Sequence, residues 1–255
     1  VYNDTTLVYT DTNPTDVFNY ANVYVDSYQK IVADDAADND WFGQSVSISG
    51  DYAIVGGYNQ DADSGAAYIF KRNGTTWTKQ QKLVVGDDAG PDDHFGFSVS
   101  LSGDYAIVGA YSGDPDVSVD SDAGVAYIFK RDGTTWTQQA KLVAGDAAGS
   151  DMFGISVAIS GDYAIVGAWF EDPGGTADAG SAYIFFRSGT TWTQQQKLDV
   201  GDDAGSGDYF GRSVAISGDY AIVGATREDP GDPEILNAGS AYIFKRDGTT
   251  WTQQD

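Results

Sequence analysis

The chain has 255 residues and a formal net charge of -24, which would repel nucleic-acid phosphates and anionic lipid and leaves cations, basic proteins and neutral glycans as partners. It contains no Cys, so disulfides and thiolate metal sites are excluded; 41% apolar residues, with 16 Tyr, 12 Phe and 6 Trp, must hold the fold by burial. No apolar run reaches the roughly 18 residues of a membrane span, and residues 1 to 30 lack a charged start followed by an apolar middle, so membrane insertion is not expected.

In chain order, residues 1 to 32 contain TLVYT, ANVYV and YQKIV, worn versions of the second, third and fourth segments of a unit that then recurs. The unit is clearest from Phe153 to Leu198 and begins again at Phe42, Phe95 and Phe210. Self-similarity at a fixed spacing decides the fold before any local reading does. The chain starts inside a repeat and ends in WTQQD without the KL that follows WTQQ elsewhere, so it reads as a fragment or processed form.

Each repeat holds four short runs rich in Val, Ile, Tyr, Phe, Trp and Thr, bounded by Gly and Asp. In the third full copy they are Gly154 to Ser160, Tyr163 to Ala168, Ala182 to Arg187 and Thr191 to Leu198. SGDY between the first and second runs, and KRDGTT or a variant between the third and fourth, are hairpin signals in which Gly supplies a positive φ. The unit is therefore a four-stranded antiparallel meander. At about 50 to 58 residues per repeat, with small apolar inner runs and a long polar outer one, it has the signature of a propeller blade. The expected fold is an all-β, single-domain β-propeller over 1–255. Five blades are expected, at about 1–32 (incomplete), 42–84, 95–143, 153–198 and 210–255.

FGxSVxISGDYAIVGA followed by GSAYIF resembles the FG-GAP repeat of integrin-α-type propellers, in the bacterial form that continues into a TWTQQxKL strand. The resemblance covers nearly the whole chain. It implies a β-propeller of a secreted or cell-surface protein, used for adhesion or recognition. Two departures stand out. The DxDxDG calcium loop of integrin-type repeats is replaced by SGDY, so those calcium sites do not carry over. The Pro after GA is replaced by Tyr58, Tyr111, Trp169 and Thr226.

Because strand direction alternates, the linker between blades and the loop between the second and third strands emerge on one face. Both are acidic. The linker carries Asp40, Asp93, Asp151 and Asp208 two residues before Phe, and Asp35, Asp88, Asp146 and Asp203 seven before it; the other loop carries Asp61, Asp114, Asp172 and Asp229. Two readings stay open. Each Asp accepts backbone N–H bonds and fixes a turn, or pairs and triplets with loop carbonyls bind calcium, which takes six to eight oxygens. Tyr58, Tyr111 and Trp169 leave the second strand on this face. They either pack the loop above them or stack on a sugar whose hydroxyls the carboxylates accept, the arrangement of a lectin.

Catalysis has little support. His94 is the sole histidine and its column holds Trp41, Met152 and Tyr209 elsewhere, while the innermost strands offer Gln44, Phe97, Ile155 and Arg212 and no acid pair. The expected partner is a protein or glycan on the acidic face. An incomplete first blade would also expose a pairing edge that invites self-association.

Overall fold

The structure is a computed structural model, and it describes residues 29–60, 64–88, 90–115, 122–230 and 235–254. The chain divides into two units, Val1–Lys30 and Ile31–Asp255; all that follows concerns the second.

That unit contains four sheets, each a meander of consecutive strands. Sheet A is β1 (Ser45–Ser49), β2 (Tyr52–Gly57), β3 (Ala66–Asn73) and β4 (Thr76–Leu83). Sheet B is β5 (Ser98–Ser102), β6 (Tyr105–Ala110), β7 (Val125–Asp132) and β8 (Thr135–Leu142). Sheet C is β9 (Ser156–Ser160), β10 (Tyr163–Ala168), β11 (Ser181–Ser188) and β12 (Thr191–Leu198). Sheet D is β13 (Phe210–Ser217), β14 (Tyr220–Ala225), β15 (Ser240–Asp247) and β16 (Thr250–Gln253). All strand pairings within the four sheets are antiparallel, so the expected meander is present in each of these four copies. The glycines of both hairpins have the positive φ that their turns require, for example Gly161 at 59° and Gly189 at 65°.

Four sheets, not five, lie among the described residues. The incomplete blade expected over 1–32 falls mostly outside them, and its last expected strand is corrected: Gln29–Val32 form no strand. Ile31 and Ala33 instead pack against Tyr68 and Phe70 of β3.

Sheets stack face to face in chain order. Ile54, Ala67, Ile69 and Leu83 of sheet A enclose one cluster with Val99, Leu101, Val108, Tyr127 and Trp136 of sheet B. The same pattern joins B to C and C to D. Contact is most extensive between the innermost strands β1, β5, β9 and β13 and sparse between the outermost. The sheets therefore splay outward as blades do.

Repeated polar contacts fix the stacking. Ser45, Ser98 and Ser156 donate to the carbonyls of Gly96, Gly154 and Gly211 of the next sheet at 2.7 to 2.8 Å. A register shift in the pairing of the third and fourth strands sits at Ile69/Phe70, Ile128/Phe129 and Ile184/Phe185. It leaves Gln80, Gln139 and Gln195 unpaired as bulge residues, free to turn sideways. Each accepts the indole N–H of the next sheet's Trp136, Trp192 or Trp251 at 3.1 to 3.2 Å. Each such Trp also lies edge-on to the hairpin Tyr of the preceding sheet, as Trp136 does to Tyr52.

Candidate functional site

The two loop sets do emerge together. Linker residues Asp146, Ala148 and Asp151 and second-loop residues Glu171, Asp172 and Asp178 line one cavity of about 380 Å³ above sheet C. The hairpin face differs in its charge balance. There Asp51, Asp104, Asp162 and Asp219 pair with Arg72, Arg131, Arg187 and Arg246 of the neighbouring hairpin. The carboxylate of each SGDY turn is thus engaged by an arginine.

On the loop face the repeated aspartates have definite structural work. Asp40, Asp93, Asp151 and Asp208 are buried and accept the backbone N–H three residues earlier, from Ala37, Gly90, Ala148 and Gly205. Burial pushes the Asp93 carboxyl up, and burial together with Glu171, Asp146 and Asp172 pushes Asp151 up to about 6. Asp172 accepts the Asp178 N–H at 2.8 Å, Asp114 the Asp122 N–H at 3.1 Å, and Asp229 the Asn237 N–H, closing the second loop. Asp61 lies outside the described residues.

The outer linker position anchors the third and fourth strands. Asp35 accepts from Tyr68 at 2.9 Å and pairs with Lys82 at 2.7 Å. Asp146 likewise accepts from Tyr183 at 2.9 Å and pairs with Lys197 at 2.7 Å, and Lys197 reaches the buried Glu171 at 2.7 Å. Burial works against the ionised Asp146, but Lys197 and Tyr183 outweigh it and hold its carboxyl below the usual range. Asp88 is 3.8 Å from Lys141. Asp203 ends a single 3₁₀ turn after β12, Gly201–Asp203; burial, and after it Glu228, Asp203 and Asp208, push the Tyr242 hydroxyl up to about 12. Among the described residues no group of three or more His, Asp or Glu side chains is arranged as a metal cluster.

The predicted aromatics are joined by residues that sequence reasoning set aside. The residue before each Phe-Gly pair, Trp41, His94, Met152 or Tyr209, has a positive φ of 55° to 60°, uncommon for bulky side chains. The turn it makes sends Phe95, Phe153 and Phe210 into the core and leaves the preceding side chain on the loop face. His94 stacks on Tyr111 with centroids 4.8 Å apart and meets Tyr58 at 5.4 Å, and Phe97 touches both tyrosines. Trp41 joins at 5.7 Å from Tyr58.

A second cluster surrounds Trp169: Phe170 stacks on it at 4.7 Å, Tyr209 lies at 5.1 Å, and the Arg212 guanidinium carbon sits 3.9 Å from its ring centroid. Its indole N–H meets the Met152 sulfur at 3.1 Å. Tyr58 and Tyr111 thus share a cluster, and Trp169 belongs to another. His94, treated in the sequence as a variable loop residue, bridges Tyr58 and Tyr111 in the first. The available signal was its column, which holds three rings among four residues.

Stacked four-stranded meanders with a paired hairpin face and an open acidic and aromatic loop face define a blade-repeat module of the propeller type. A family model for the FG-GAP repeat matches residues 26–70, 77–129, 136–185 and 192–244, and the chain belongs to the FG-GAP repeat family. The later three matched units each run from the outer strand of one sheet through the inner three strands of the next, so the repeat is offset from the sheet by one strand. A search of curated proteins finds no match.

Proposed function

We propose that this chain is a non-catalytic extracellular recognition or adhesion module that binds a protein ligand on the loop face. The supporting observation is where variation falls. The strands repeat almost verbatim, whereas residues from three columns that change between copies supply the two aromatic clusters: Trp41, Tyr58, His94, Phe97 and Tyr111 in one, and Met152, Trp169, Tyr209 and Arg212 in the other. A scaffold needs no such variety at one face; a recognition surface does. FG-GAP repeats as a family are generally non-catalytic, which supports the same reading.

Adhesion of the immobilised chain to a panel of extracellular-matrix proteins tests it. Binding to at least one member that falls at least tenfold in a Tyr58→Ala, Tyr111→Ala, Trp169→Ala variant, about 1.4 kcal/mol or more, is the expected result. Absence of binding across the panel contradicts it.

A lectin is the second reading, favoured by Trp41, which is 55% exposed beside Tyr58. It is weakened by the ring faces already used: Tyr111 by His94, and Trp169 by Phe170 and Arg212. On a glycan array the lectin reading expects binding lost in Trp169→Ala.

Calcium is proposed as a stabiliser of the same face, between the linker and second loop, where Asp151 and Asp172 border one cavity. Crowded carboxylates favour a screening divalent ion. The melting temperature should rise more with millimolar calcium in low salt than with matched ionic strength of sodium, which screens without chelation; no calcium-specific shift would remove this part.

A further inference from the structure

The chain has six arginines. Arg72, Arg131, Arg187 and Arg246 pair with the hairpin aspartates, and Arg227 donates to the Tyr209 hydroxyl at 3.2 Å. Arg212, on the loop face, is the exception: its guanidinium forms no hydrogen bond and no ion pair among the described residues, in a chain that carries 38 Asp and Glu. Its one side-chain contact of note is the Trp169 ring, 3.9 Å from the guanidinium carbon to the centroid. A ring under the guanidinium engages its flat face and leaves the fork of N–H donors at its edge without an acceptor.

The backbone holds this side chain in place, inside the junction between sheets C and D. Between the pairs Phe210–Ala225 and Ser213–Gly224 the register of β13 on β14 shifts, so Gly211 and Arg212 face no partner residue. Gly211 has a φ of 91°, its carbonyl accepts from Ser156 of sheet C at 2.7 Å, and the Arg212 N–H donates to the Tyr209 carbonyl at 3.2 Å. This bulge aims Arg212 back over Trp169 of the preceding sheet. Burial there penalises the charged form and holds its pKa below the usual arginine value. The junction between sheets A and B shows that packing does not require the charge. Phe97 takes the same place there and lies 5.2 Å from Tyr58 and 4.7 Å from Tyr111, centroid to centroid, while Gln44 and Ile155 fill it in the other copies. A half-buried cation without an acceptor costs stability where any of these neutral side chains would not.

We propose that Arg212 receives the carboxylate of an Asp or Glu side chain of the protein ligand, an inference that rests on the loop face being the recognition surface. A planar guanidinium offers a carboxylate paired, charge-assisted N–H donors. Trp169, itself packed against Phe170 and Tyr209, fixes the guanidinium so that little side-chain freedom is lost on binding. The net charge of -24 decides which anion is accepted. Repulsion grows with the charge of the ligand, so a polyanion such as nucleic acid or an acidic polysaccharide is rejected, whereas a single carboxylate set among neutral or basic residues is tolerated.

The test is an array of capped peptides tiling the acidic segments of the extracellular-matrix panel, each beside a copy in which Asn and Gln replace Asp and Glu, probed with the full chain. At least one acidic peptide should bind at least tenfold more tightly than its amide copy. That preference should vanish in Arg212→Gln, a side chain the repeat already accepts at Gln44, and Arg212→Lys, which keeps the charge but not the planar fork, should restore only part of it; all variants are compared at matched folding by circular dichroism. No acid-dependent binding by the wild type, an unchanged acid preference in Arg212→Gln, or binding to a uronic-acid polysaccharide alone overturns the proposal. Adhesion to the matrix panel that survives Arg212→Gln but is lost in the Tyr58→Ala, Tyr111→Ala, Trp169→Ala variant removes the carboxylate contact and leaves the loop-face reading standing. Acid-dependent peptide binding without adhesion to any panel member removes that reading and leaves the Arg212 contact standing.

Discussion

Asp151 shows how one residue reports on the loop face. Its carboxylate accepts the Ala148 N–H at 2.7 Å, yet burial and the nearby Glu171, Asp146 and Asp172 push its pKa up to about 6, making it a weaker acid. A carboxyl whose folded value is raised binds its proton more tightly in the native state. Its contribution is therefore fully present below the unfolded value of about 3.9 and lost as pH rises through about 6. Asp35 and Asp146, held low mainly by Lys82 and by Lys197 with Tyr183, work the other way, and their contribution is lost as pH falls below the usual carboxylate range. The melting temperature should thus rise between pH 7 and pH 5 and fall at lower pH. Asp151→Asn keeps an N–H acceptor and removes the charge. In calcium-free buffer it should raise the melting temperature at pH 7, on a scale of about 2–4 °C per kcal/mol for a chain of this size, and flatten the rise between pH 7 and 5. An unchanged pH profile would show that Asp151 carries no excess charge penalty.

At the scale of the element, the strand glycines separate covered from uncovered sheets. Gly167→Ala would place a methyl 1.9 Å from the Gly211 carbonyl oxygen, so the sheets must part, and a loss of about 1–3 kcal/mol is expected. Gly224→Ala meets only the Ser213 hydroxyl, which can rotate away. Chemical denaturation of dilute protein should show the first variant clearly weakened and the second nearly unchanged; equal losses would mean that the glycines answer to the strand rather than to the neighbouring sheet. These elements were legible in the sequence because Gly-Asp and Asp-Gly between β-branched runs admit few backbone solutions. The expected second run, Tyr163 to Ala168, and fourth run, Thr191 to Leu198, coincide with β10 and β12. What periodicity could not show is the bulge that frees Gln139 for Trp192. A one-residue slip between strands leaves no trace in a polar run such as TWTQQ.

Across the described residues, four near-identical sheets act as a frame that repeats one set of loops along a single face. Strand alternation alone was enough to sort Asp146 and Asp172 to the same side, and the cavity they border follows from it. The aromatic half of the site was only partly legible. Tyr58, Tyr111 and Trp169 were visible as departures after the GA pair, but His94 and Tyr209 were hidden because a left-handed turn before Phe, not a strand, brings them over their neighbours. The number of blades was least legible, since repeat text does not state which end faces are covered.

On the proposed function, recognition belongs to the loop face and not to the hairpin face. Binding to whichever matrix protein the chain adheres to should be compared between the Tyr58→Ala, Tyr111→Ala, Trp169→Ala variant and an Asp51→Asn, Asp104→Asn, Asp162→Asn variant, at matched folding by circular dichroism. The account predicts loss of affinity in the first and near wild-type affinity in the second. Equal loss in both, or loss confined to the hairpin variant, would contradict it.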